Sequence, residues 1–323
     1  MITGIFFSGV LLNNHIMAYQ CKSPVLFLIF NRPEVTARVF EAIRLARPAE
    51  LYIAADGPRA DRAGEAEICQ EVRRIATAVD WDCEVKTCFR DQNLGCGKAI
   101  SEAITWFFEN VEEGIILEDD CLPHISFFEY CDRMLQRYLN DDSIWSIAGT
   151  KFRCYPYSRS LLGYKSEILF CWGWACWRNR WKYYTRDLNE LLPIESFGSA
   201  VASRYWERVI ASLNNSRVDS WGYRFALLSI KKSKKNIVPP CNLVRNLGFG
   251  ESSTHTKVIP RHYSDAVFPV VYEKRSTLRD AGFFDNIYYG LHHQQWLVRS
   301  TYILLMCSVD FYEKIFDSIY PKE

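Results

Sequence analysis

Long apolar runs, paired cysteines and an excess of charge of either sign are all missing from this chain. The longest mostly apolar stretch, Trp296 to Val309, is broken by Arg299 and is too short to span a bilayer. Residues 1–20 hold no lysine or arginine, so the short runs Ile5–Phe7 and Val10–Leu12 make neither a signal peptide nor a membrane anchor. With Met17 just before the patterned region, residues 1–22 read as a poorly ordered leader or an over-long start. A net charge of +1 removes any whole-chain reason to expect nucleic acid. The 12 cysteines include no Cys-x-x-Cys and no zinc spacing. Cys83, Cys121 and Cys131 lie in apolar segments and read as buried thiols of a reducing cytoplasm. Internal repeats and low-complexity linkers are also lacking.

What remains is a globular chain of 323 residues, 49% hydrophobic, long enough for one large domain or two small ones. Aromatic residues make up 15%, which serves a sugar site or an ordinary core equally well.

Strand and helix patterns alternate from residue 25 onward. Val25–Phe30 reads as a buried strand, stopped by Asn31-Arg32-Pro33, with Pro33 opening a helix. Leu51–Ala55 is a second strand, closed by the turn Asp56-Gly57-Pro58. Ile68, Val72, Ile75 and Val79 mark a helix, and Glu84–Phe89 a short alternating strand. Asn93–Lys98 is a glycine-containing turn opening a helix through Phe108. Gly114–Leu117 then runs into Glu118-Asp119-Asp120. Such alternation implies an α/β fold with a largely parallel sheet and right-handed crossovers. It brings Arg32, Asp56 and the acid triplet to one edge of that sheet, where open α/β sheets bind ligands. Three adjacent carboxylates repel one another. At a strand end they suit a hard divalent cation carrying a phosphate, although a solvated acidic loop has the same sequence.

Beyond the triplet, Ser126 and Glu129 form a capping-box pattern ahead of an amphipathic helix, and Ile144–Ala148 reads as a strand. After Thr150 short strands, loops and aromatics dominate, including Phe170–Trp177. Helices are expected over Trp206–Leu213 and from Val218-Asp219-Ser220-Trp221 to the basic run at Lys231–Lys235. The tail, 261–323, is helical in period and aromatic-rich. It can pack on the body or make peripheral contact with a membrane surface.

Glu118-Asp119-Asp120, then Phe127-Phe128-Glu129-Tyr130 and Asp142-Ser143-Ile144-Trp145, resemble nucleotide-sugar glycosyltransferases of the GT-A fold. The inverting alpha-mannoside beta-1,2-N-acetylglucosaminyltransferases and bacterial surface-polysaccharide sugar transferases are the families most similar in these motifs. Trp172-Gly173-Trp174 and Val218-Asp219-Ser220-Trp221 extend the likeness, and with Pro240–Gly250 it covers about Ser23 to Thr256. The resemblance implies a nucleotide-sugar-binding region over 23–150 and an acceptor and catalytic region of the same domain over 151–260. It implies metal-dependent transfer from a UDP-sugar to a hydroxyl of a glycan or lipid-linked acceptor, with inversion. Asp120 would hold Mn²⁺ or Mg²⁺, with His255 a candidate further ligand. Glu118 and Asp119 would bind ribose and sugar hydroxyls. Arg32 and Asp56 would grip the nucleotide, Asn93 and Lys98 would line the diphosphate, and Asp219 would be the general base. Trp172, Trp174 and Trp221 are candidate sugar platforms or core residues. The chain departs from the pattern at Ser220, where the family carries a second aspartate. Two rivals stand beside this reading: a non-catalytic nucleotide-sugar or carbohydrate-binding protein, and a sugar-nucleotide pyrophosphorylase. The latter would want a glycine- and lysine-rich loop where Asn31-Arg32-Pro33 stands.

Overall fold

A computed structural model describes residues 19–152 and 162–249, together with 279–280 and 285. The elements run β1 (Val25–Ile29), α1 (Pro33–Ala46), β2 (Glu50–Ala55), α2 (Glu65–Ala76), β3 (Glu84–Phe89), α3 (Cys96–Asn110) and β4 (Glu113–Glu118). There follow β5 (Cys121–Pro123), α4 (Ile125–Tyr138), β6 (Ile144–Ala148), β7 (Tyr164–Ser166), β8 (Trp174–Trp177), α5 (Arg178–Trp181), α6 (Leu188–Leu191) and α7 (Ala200–Asn214). The last are α8 (Trp221–Lys231), β9 (Lys235–Val238), β10 (Val244–Asn246) and β11 (Arg279–Asp280).

Every residue of β1 is buried, because it lies inside the sheet with both faces covered. Successive side chains alternate between faces. Leu26 and Leu28 join a core with Phe107, Trp174 and Phe225, whereas Val25, Phe27 and Ile29 join one with Val39, Phe128 and Leu135. The fold is α/β and Rossmann-like. Strand order is β11-β7-β9-β6-β8-β4-β1-β2-β3. β1 pairs in parallel with β2 and β4, and β2 with β3, as the alternating pattern requires. β8 enters antiparallel between β4 and β6, so strands from beyond residue 151 complete the same sheet. The chain moves outward from β1 to β2 to β3, then crosses back to place β4 on the other side of β1. The carboxyl ends of β1 and β4 therefore flank a reversal in strand order, where a crevice opens.

Three local readings change. No Ser126–Glu129 capping box forms at α4. His124 is the N-cap, its Nδ1 accepting the Ser126 amide at 3.2 Å, while Glu129 pairs with Arg133 one turn on. Burial lowers the His124 pKa, consistent with a neutral ring that accepts this hydrogen bond. Cys83 is only half-buried, because β3 is an edge strand, whereas Cys121 and Cys131 are buried. The helix expected over Trp206–Leu213 starts earlier, capped by Ser199. The ten described cysteines are free thiols. Among the described residues no helix is long and apolar enough to cross a membrane. Of the tail expected to be helical, 261–323, only 279–280 and 285 are described, and Arg279–Asp280 is a strand paired in parallel with β7; the rest, with its proposed membrane contact, and residues 1–18 lie outside the described residues.

Candidate functional site

Arg32 ends the turn after β1. Pro33, at the first helical position, needs no amide partner, so α1 begins immediately and Arg32 is left at the carboxyl edge of the sheet. From there its guanidinium bridges two acids. Nη2 donates to Asp119 Oδ1, and Nη1 donates to Asp120 Oδ2 at 3.0 Å. Charges 87 and 88 residues apart thus meet beside the reversal between β1 and β4. The Asp119 side chain is 4% exposed and that of Asp120 16%. Burial raises the Asp119 pKa, with Arg32 pulling it back. Glu118 is raised by burial and then by the charges of Asp120 and Asp119.

The short ribbon of β5 and β10 closes one flank of the acids. Cys121 pairs with Asn246, and the Leu247 amide donates to the Asp120 carbonyl at 2.7 Å. Gly248 follows, so near that a Cβ there would come within 2.1 Å of Asp120 Oδ2. Any larger residue there would push the Asp120 carboxylate aside.

Asp56 receives the Gly57 amide at 2.9 Å, the Leu94 amide at 3.0 Å and the Gly95 amide at 3.1 Å. Burial raises its pKa despite these donors. It thereby shapes the loop before α3, and Asn93 adds a 2.8 Å bond to the Gly57 carbonyl. Lys98 stands in the first turn of α3, partly exposed, 3.8 Å from Glu102. Asp219, just before α8, reaches back to the same helix start. Its Oδ2 accepts the Gly97 amide at 3.1 Å, and its Oδ1 accepts from Arg186 at 3.2 Å and Arg224 at 3.4 Å. A carboxylate is favoured at a helix N-terminus, where free amides and the helix dipole meet it. The Asp219 side chain remains 45% exposed. Cys96, the first residue of α3, lies among these groups. Burial, then the charges of Glu118, Asp219, Asp120 and Asp56, push its thiol up to about 12. Asp219 and Asp56 therefore meet the start of α3 directly, and the charges of Glu118 and Asp120 reach it.

Trp174 and Trp221 stack on each other at 5.3 Å inside the core, which leaves only the half-buried Trp172 near the surface. Ser220, in place of the family's aspartate, caps α8 by accepting the Tyr223 amide at 3.3 Å. His255 falls outside the described residues.

Three groups at the site escaped the sequence reading. Arg186 carries no local signal. Arg224 sits five residues after Asp219 on an apolar helix. Glu65 receives Asn31 Nδ2 at 2.9 Å and the Arg59 amide at 2.7 Å, and it pairs with the Arg59 guanidinium. It thus pins the turn that carries Arg32. These donors, the Arg59 guanidinium foremost, hold its carboxyl at about 2, below the ordinary 4.5. A depressed folded-state pKa stabilises above the unfolded value. The contribution is full above about 4.5, declines as the pH falls, and is gone below about 2. Glu65→Gln is expected to cost about 1–2 kcal/mol at pH 7. Melts from pH 7 downward should show the gap to wild type narrowing below pH 4.5. A gap independent of pH would show that the charge is not what stabilises the turn.

Carboxylate oxygens are the right donors for Mg²⁺ or Mn²⁺. Asp119 Oδ2 is buried with no well-formed hydrogen bond, so it has a lone pair to give. Among the described residues no three His, Cys, Asp or Glu side chains converge as a ready cage. The residues fit an ion held by one or two carboxylates and completed by ligand oxygens, the usual arrangement for Mg²⁺ at a phosphate.

No protein-family model matches the chain, and no curated protein does. Among solved structures it is similar to apo UDP-glucose pyrophosphorylase, at 10% identity and a TM-score of 0.33, covering 67% of this chain and 90% of that one. UDP-glucose pyrophosphorylase complexed with UDP-glucose gives 13% identity and a TM-score of 0.33, over 68% of this chain and 90% of that one. The 4-diphosphocytidyl-2C-methyl-D-erythritol synthase from Anaerococcus prevotii gives 8% and 0.30, over 58% and 84%. Likeness at this level decides neither activity nor substrate.

Proposed function

We propose that the chain transfers a sugar from a nucleoside diphosphate sugar, UDP favoured, to a hydroxyl of a glycan or lipid-linked acceptor, with inversion. The observation that carries this reading is the Arg32–Asp119–Asp120 bridge beside the reversal of strand order, with Asp219 fixed on the start of α3 and the charges of both Asp120 and Asp219 felt at Cys96. A bound Mn²⁺ or Mg²⁺ would neutralise charge growing on the leaving diphosphate. Asp120 would hold it, and Asp119, which the resemblance gives to donor hydroxyls, is taken here as a second carboxylate at the ion because Arg32 ties the two acids together. Arg32 and Lys98 offer positive charge to the phosphates, and Glu118 accepts from donor hydroxyls. Asp56 and Asn93 act by shaping the loop under the donor. Asp219, part-exposed and fixed by Gly97, Arg186 and Arg224, is positioned to take the acceptor hydroxyl proton.

A panel of nucleoside diphosphate sugars, with Mn²⁺ or with chelator, tests this directly. Metal-dependent release of UDP from at least one UDP-sugar is expected. Turnover of a sugar phosphate with a nucleoside triphosphate, and none of any UDP-sugar, would instead make the chain a pyrophosphorylase. Donor binding with no turnover under any condition would leave it a binding protein.

A further inference from the structure

Building on the function proposed above, we infer that Arg32 is the resident counter-ion of the acid pair, and that a divalent cation reaches Asp119 and Asp120 only by expelling it. The guanidinium already stands where a cation would stand, against Asp119 Oδ1 and Asp120 Oδ2. A dication on those oxygens would face a positive group at hydrogen-bonding range, and like charges at that spacing repel strongly in a partly buried site. The other approaches to Asp120 are restricted. Cys121 Sγ lies 3.5 Å from its Oδ1, and the Gly248 backbone closes on its Oδ2. The Oδ2 of Asp119 is the second mark of an incomplete site: it is buried with no well-formed hydrogen bond, while Arg32 takes Oδ1 and the Phe30 backbone helps to hold the carboxyl's charge.

Only the two carboxylates hold Arg32 among the described residues: its side-chain hydrogen bonds go to them, and it is 24% exposed, so it has a path to solvent. Charge explains the purpose. Two carboxylates and one guanidinium leave the trio with one uncompensated negative charge, whereas two carboxylates and a dication balance. The released guanidinium then has no anion, and a diphosphate, which can accept two hydrogen bonds side by side from its fork, is the partner it suits. Cation and diphosphate binding are thereby coupled through one side chain, and the coupling is reciprocal.

The experiment is Mn²⁺ titration of the full chain, followed by the paramagnetic signal of free ion, without nucleotide and with UDP. Wild type should bind Mn²⁺ weakly alone and more tightly with UDP. Arg32→Gln should bind Mn²⁺ alone about tenfold tighter than wild type, ~1.4 kcal/mol, and should gain less from UDP. Equal or weaker Mn²⁺ binding by Arg32→Gln would overturn the inference. So would an absence of Mn²⁺ binding in both proteins. Removing Arg32 leaves two carboxylates unpaired, so the variant is expected to melt lower and to recover with Mn²⁺ by more than wild type does. If it fails to fold even with Mn²⁺, Arg32→Lys decides, because lysine keeps the charge but cannot bridge both acids. Mn²⁺ binding to Arg32→Lys no tighter than to wild type would then reject the inference. No turnover enters these readouts. A donor panel that works while Arg32→Gln binds Mn²⁺ no better rejects only the exchange. Tight Mn²⁺ binding with an inert donor panel rejects only the transfer.

Discussion

Asp120→Asn is expected to lower kcat/KM for a UDP-sugar by about 10³-fold or more, the scale on which a group stabilising developing charge acts. The reason is local. Asp120 is the less buried member of the pair and lies directly against the loop after β10, so it stands at the mouth of the crevice. The substitution removes charge and little else. Its main-chain bond from Leu247 does not depend on the side chain, and Arg32 keeps Asp119. The variant should therefore melt near wild type while losing Mn²⁺-stimulated turnover. Steady-state kinetics with a range of Mn²⁺ concentrations, beside a thermal melt, make the check. Undiminished turnover in Asp120→Asn would remove the metal assignment from the proposed transfer.

Asp219→Asn is expected to lower kcat by about 10²-fold or more with UDP affinity unchanged. Asparagine keeps an oxygen that can accept the Gly97 amide, so the start of α3 stays in place. What disappears is the capacity to take a proton. A loss confined to kcat marks a group acting in the transition state. A loss confined to KM would make Asp219 a structural cap on α3. The arrangement admits that second outcome, because the carboxylate touches two arginines and a helix terminus. Isothermal titration of UDP alongside the kinetics separates the two. Wild-type rates in the variant would place the proton acceptor elsewhere.

The acid triplet was legible because its chemistry and position are both local. An uncharged run followed by three acids marks a strand end, and strand–helix alternation puts that end beside the one after Val25–Phe30. Asp219 is singled out only by likeness to a family, and its contact with Gly97 was not legible, since nothing nearby in sequence points 122 residues back. Arg186 was not legible, because an isolated arginine in an irregular segment has no period and no motif. The capping box at Ser126 failed because α4 starts one residue before Ser126, so the His124 ring caps it by accepting the Ser126 amide.

Sequence alone settled the α/β class, the parallel pairing of the first four strands and the edge at which the charged residues gather. Those follow from hydrophobic period and connection length, which depend only on residues close along the chain. Tertiary structure decided what each charge faces. Arg32 turned to the acid pair, Asp56 to the backbone of the loop before α3, and Asp219 to the start of α3. Those choices depend on which distant segments crowd each carboxylate out of water, and burial of that kind exists only once the sheet has closed.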